Sequence, residues 1–142
     1  MRPAEAQQAL PECRFNVTSS STLGSDDKRP RYDWISVSLG ECKKVADQGE
    51  VTLSFFNDRL DTVFNYRADA RSFVDRLARE PGWHPGPTPN SIRRGPATLV
   101  FHATDLSGRA YVAWEDECLS NERSAWINRY ARGKTGDSCV AA

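Results

Sequence analysis

The chain has 142 residues, 39% hydrophobic and 27% charged, a globular composition long enough to bury about two-thirds of its unfolded surface in a single domain. Lys+Arg and Asp+Glu number 19 each. The balance holds in both halves, so there is no concentrated basic face to neutralise phosphates, and nucleic acid is excluded as the main partner. No apolar run approaches the ~20 residues of a bilayer crossing, so no membrane span is expected.

Residues 1–30 read as a polar, partly flexible N-terminal segment ahead of one domain over 31–142. Met1 to Pro11 (MRPAEAQQALP) lacks the apolar core of a signal peptide, so a mature chain with an added start Met is expected. Arg14 to Val17 allows a short strand, and the hydroxyl-rich run Thr18 to Thr22 reads as flexible. Asn16-Val17-Thr18 is formally a glycosylation sequon, a match too short to carry weight.

Tyr32 to Leu39 (YDWISVSL) alternates with the period of a strand and ends at Gly40. Val51 to Phe56 (VTLSFF) alternates more cleanly, Asn57-Asp58 supply turn chemistry, and Thr62 to Tyr66 (TVFNY) is β-branched and aromatic. A hairpin follows, with a helix from Asp61 as the alternative for its second arm. From Asp69 the period becomes helical: Ala70, Phe73, Val74, Leu77 and Ala78 form one stripe, Asp69 is the expected N-cap, and Pro81-Gly82 the stop.

Glu80 to Pro96 (EPGWHPGPTPNSIRRGP) holds five of the eight prolines, which excludes a helix or central strand and predicts a long loop. Ala97 to Thr104 and Arg109 to Glu115 flank Asp105-Leu106-Ser107-Gly108 and predict a second hairpin. Ser120 is the expected cap of a last helix through Arg132, stopped by Gly133. The fold class is therefore α+β: an antiparallel sheet of about five strands built from hairpins, with two amphipathic helices packed on it.

Cys13, Cys42, Cys118 and Cys139 are separated by 28, 75 and 20 residues, which matches no zinc-ligand spacing. Two disulfides are the reading, with buried free thiols as the alternative. Of the three connectivities, Cys13–Cys42 and Cys118–Cys139 close the shortest loops. Disulfides imply a periplasmic or extracellular location.

Phosphate loops, dinucleotide fingerprints, the G-x-S-x-G elbow and H-E-x-x-H are all absent from the sequence. No catalytic residue, metal site or cofactor is assigned. The two histidines are weighed individually: His102 shares a strand face with Val100, opposite Leu99 and Phe101, and reads as pointing away from the core, while His84 lies in the proline-rich loop. Glu115, Asp116, Glu117 and Glu122 read as a solvated strand end rather than a calcium cage, because a strand spreads successive carboxylates onto opposite faces.

Trp34, Trp114 and Trp126 fall on strand or helix patterns and read as core. Trp83 alone sits in a Gly/Pro loop, where an aromatic serves as a binding anchor. Trp83, His84, Arg93 and Arg94 are thus the expected protein-binding residues. The functional expectation is a non-enzymatic extracytoplasmic protein, an inhibitor or immunity-type partner of a secreted or periplasmic enzyme, with another protein as its ligand. The alternatives are a small secreted hydrolase using His84 or His102 with a carboxylate, and a carbohydrate-binding or envelope structural domain.

Overall fold

A computed structural model of the chain describes residues 1–23, 30–42 and 49–131. The elements in chain order are α1 (Pro3–Ala9), β1 (Arg14–Leu23), β2 (Tyr32–Gly40), β3 (Glu50–Phe56), β4 (Arg59–Tyr66), α2 (Ala70–Leu77), β5 (His84–Pro85), β6 (Ser91–Arg94), β7 (Thr98–Thr104), β8 (Ala110–Asp116) and α3 (Glu117–Trp126), which continues as a π-helical turn over Ile127–Ala131. All eight strands pair antiparallel in one sheet of order β1-β2-β3-β4-β8-β7-β6-β5.

The expected architecture of about five strands under two helices is therefore corrected: the fold is mostly sheet, with eight strands and three helices among the described residues. The extra elements come from segments whose sequence carries no strand period. β1 is an edge strand exposed along most of its length, so burial selects no alternation in it and its Ser/Thr run read as flexible. β5 and β6 are two and four residues long, and Pro85 sits at the outer edge, where its missing N–H removes no ladder bond. α1 starts with Pro3 in its first turn and buries one side chain, Ala6. Of the two expected disulfides, Cys13–Cys42 is formed; the other, Cys118–Cys139, falls on Cys139, which lies outside the described residues.

Both predicted hairpins are present. Asn57 and Asp58 join β3 to β4 with φ of 48° and 63°, the left-handed pair that matches strand twist in a two-residue loop. Asp105 organises the β7–β8 turn: its carboxylate accepts from the Ser107 and Arg109 backbone N–H groups, each at 2.9 Å.

One ladder of apolar side chains crosses the sheet through Val37, Leu53, Val63, Trp114, Val100, Ile92 and Pro85. Two clusters form on it. Ala6 of α1 packs with Val37, Val51, Leu53 and Phe55, and Ala70 and Val74 of α2 pack with Trp83, Ile92, Val100 and Val112. The opposite face is covered at Tyr32 and Phe56 by Trp126 of α3, whose indole N–H donates to the Pro30 carbonyl at 2.9 Å. The last helix begins earlier than expected. Asp116, not Ser120, caps it by accepting the Leu119 N–H at 3.1 Å, because an ionised carboxylate at the end of β8 reaches the helix N-terminus first.

Candidate functional site

Between α2 and the β5–β6–β7 end of the sheet lies a cleft of about 260 Å³, lined by Val74, Asp75 and Ala78 from α2, Trp83, His84 and Pro85 from β5 and its approach, Pro89 to Ile92, and His102 of β7. Both histidines of the chain are in this lining. The cleft exists because α2 seats Ala70 and Val74 on the sheet, while Asp75 and Ala78 remain exposed beside it.

α2 is held at its start by charge. Asp69 occupies the N-cap position but makes no capping bond; its carboxylate instead accepts from Arg67 at 2.6 and 2.9 Å and from Arg76 at 3.3 Å. The Arg67 hydrogen bonds, with Arg76 adding to them, lower its pKa to about 2. Gly82, with φ of 91°, turns the chain after the helix, a conformation that favours glycine.

The far wall of the cleft is a pinned loop. Gly86 N–H donates to the Ser91 carbonyl at 3.0 Å and Ser91 N–H to the Thr88 carbonyl at 3.2 Å. The Ser91 hydroxyl accepts the Thr88 N–H at 3.1 Å. Asn90 fastens the loop to β7: its side-chain amide donates to the His102 carbonyl at 2.6 Å, and its own carbonyl accepts the His102 N–H at 3.2 Å. A Cβ on Gly86 would lie 2.3 Å from Ser91 Oγ and 2.9 Å from the Ser91 carbonyl carbon, so only glycine allows this approach.

The four residues expected to bind protein gather at this end of the sheet, but not as a set of exposed anchors. His84 and Arg93 are register partners across β5–β6, and the Arg94 guanidinium lies 4.7 Å from the Trp83 ring centroid. Trp83 is only 8% exposed and belongs to the core cluster under α2, edge-on to Trp114 at 6.0 Å. Its expected exposure is not found, because the Gly/Pro loop folds its aromatic residue inward. Its buried indole N–H has no hydrogen-bond partner among the described residues. His84 and Arg94 are exposed. Arg93 forms a two-pronged pair with Glu117 at 2.6 and 3.0 Å.

His102 lies on the opposite face from the one expected. Val100 and His102 alternate on the side covered by α2, where Val100 is fully buried and His102 half-buried, whereas Leu99 and Phe101 are partly exposed on the other side. Neither imidazole, nor the Asp75 carboxylate, has a side-chain hydrogen bond or ion pair among the described residues. Asp75 lies outside the apolar stripe of its helix and Asn90 in the proline-rich loop, and no sequence pattern brings them to one cleft.

The acidic cluster is dispersed into structural roles: Asp116 caps α3, Glu117 pairs with Arg93, and Glu122 with Arg59 at 2.8 Å. Among the described residues the one group of three ligand-type side chains is Glu12, Cys13 and Cys42, and its two sulfurs are joined to each other. No helix among the described residues is long and apolar enough to cross a membrane. Comparison with protein-family models, with curated proteins and with solved structures finds no match to this chain.

Proposed function

We propose that the protein is a non-enzymatic binding protein of an extracytoplasmic compartment, an inhibitor or immunity-type partner of a secreted or periplasmic enzyme, and that the α2–β7 cleft receives a side chain or short loop of that enzyme. The observation that carries this reading is the pinned cleft itself. At about 260 Å³ it falls just below the ~300–1,000 Å³ typical of small-molecule pockets, a size suited to one large side chain. Its wall is fixed by the Gly86–Ser91 and Asn90–His102 hydrogen bonds, which lowers the ordering cost of binding. Val74, Ile92 and two prolines supply an apolar lining, and Asp75 is its one acidic group, so an apolar stem with a basic tip fits best. Exposed Arg94 and His84 lie beside it as rim contacts. The Cys13–Cys42 bridge supports an oxidising compartment.

The placement of His84, His102 and Asp75 around one cleft favours the hydrolase as the second reading, but without the base–orienter hydrogen bond that acid–base catalysis uses. Ala78 is exposed at the end of α2 and lines the cleft, so Ala78→Trp fills the cleft without disturbing the core. The partner, captured from periplasmic or culture extract and purified, should bind this variant at least about 2 kcal/mol more weakly, the hot-spot scale, at unchanged melting temperature. Leu106→Ala, at the exposed β7–β8 turn outside the cleft lining, should bind normally. Unchanged affinity in Ala78→Trp refutes the placement. Turnover of peptidoglycan, ester, phosphodiester or peptide substrates that disappears in His84→Ala/His102→Ala decides for the hydrolase.

A further inference from the structure

The two edges of the sheet are treated differently. At one end β5 is two residues long and contains Pro85, so it offers little backbone for another strand to pair with. At the other end β1 runs ten residues, Arg14–Leu23. From Asn16 to Leu23 it has no charge, no proline and no glycine, and so lacks the side-chain devices that blunt natural edges. Its outer residues are exposed, and two of the four large exposed hydrophobic side chains of the described residues, Val17 at 60% and Leu23 at 41%, lie on it. One protective device is present, an irregularity in register between Val17 and Ser19. Beyond it Ser19 to Leu23 pair with Ser36 to Tyr32 without a break, leaving a regular ladder whose outer side pairs with no strand among the described residues.

We propose that β1 is a homotypic docking edge, at which Ser19–Leu23 pairs antiparallel with the same segment of a second copy about a two-fold axis. Charge selects this occupant. A charged partner strand gains no cross-strand ion pair from a neutral strip, whereas two copies of the strip meet with no like charge opposite like charge and with serine and threonine hydroxyls in cross-strand positions. Ser19, Ser20 and Ser21 have no side-chain hydrogen bond to a described residue, unlike Thr18 and Thr22, which are bonded to Ser36 and Asp33. The formal net charge of zero removes long-range repulsion between copies. Because β5 closes the other edge, pairing at β1 ends at a dimer. The interface is isologous, and the product is a continuous sheet of twice eight strands rather than a fibre.

The test is the mass of the intact, oxidised protein as a function of concentration, by light scattering and sedimentation velocity, together with amide hydrogen exchange of β1 in the wild type. A concentration-dependent dimer is expected, in which exchange slows for β1 amides and not for β5 amides. Ser19→Lys/Ser21→Lys should weaken dimerisation at least about tenfold while leaving the melting temperature of the monomer unchanged. A wild-type protein that stays monomeric into the millimolar range overturns the proposal. So does a dimer whose β1 exchange is independent of concentration.

Discussion

Trp83→Ala measures whether this tryptophan is packing or an exposed anchor. At 8% exposure, a tryptophan buries about 200 Å² of side chain, which at ~25 cal/mol/Å² corresponds to at most about 5 kcal/mol. The buried indole N–H without a partner opposes this by ~1–2 kcal/mol. The cation–π contact of exposed Arg94 at 4.7 Å adds back about 0.5–1 kcal/mol. The net expectation for Trp83→Ala is a loss of about 3.5–5 kcal/mol, within the usual range for truncating a core aromatic. Trp83→Phe keeps a ring against Trp114 and removes the unpaired donor, so it should cost about 1 kcal/mol or less. Urea unfolding with the disulfide intact reads both values, with m unchanged. A Trp83→Ala loss under 1 kcal/mol, or a Phe variant less stable than the Ala variant, would refute this account of the cleft wall.

Asp61, on the irregular stretch of β4, is 1% exposed beside Arg123 at 3.4 Å. Burial raises its pKa above the ordinary 3.8, while the nearby Ser54 hydroxyl and Arg123 pull it back. A raised acid pKa means that the folded state holds this proton more tightly, so Asp61 favours folding as pH falls through its folded value and opposes it as pH rises. Arg123→Met should therefore destabilise by about 3 kcal/mol at neutral pH. The deficit should narrow on acidification and largely vanish with Asp61→Asn added, all read by thermal unfolding; a pH-independent deficit would contradict it. Asp69 shifts the other way, and its carboxyl resonance should titrate at about 2, moving back towards 3.8 in Arg67→Ala. Its contribution to stability is present above its unfolded value and lost as pH falls through about 2. Gly86→Ala, with its Cβ driven against Ser91, should cost about 1–3 kcal/mol and shift the Asn90 and His102 amide resonances. Unshifted amides would show that the loop is not pinned as described.

The hairpins were legible because their turns carry local chemistry: Asn57-Asp58 tolerates positive φ, and Asp105 bonds its own backbone. α2 was legible from its period. What failed was information held in tertiary packing. In β7 the richer apolar face is Leu99, Phe101 and Ala103, whereas α2 covers the face of Val100 and His102, so alternation points to the wrong side for His102. Trp83 sits among glycine and proline in sequence but is enclosed by Val74, Ile92 and Val100 in space, a burial that no local pattern encodes. β1 shows no alternation because it is an edge strand exposed along most of its length. The cleft joins Asp75, Asn90 and His102 from three separate elements, and its shape follows from how α2 rests on the sheet.

The central claim is that the partner enters the α2–β7 cleft, and site-specific photo-crosslinking tests it most directly. A benzophenone side chain is placed at Ala78, which lines the cleft, or at Leu106, which is fully exposed on the β7–β8 turn and outside the cleft lining. Irradiation in the presence of the purified partner should give a crosslinked adduct from position 78 and none from position 106. Adducts from position 106 with none from position 78 would contradict the account.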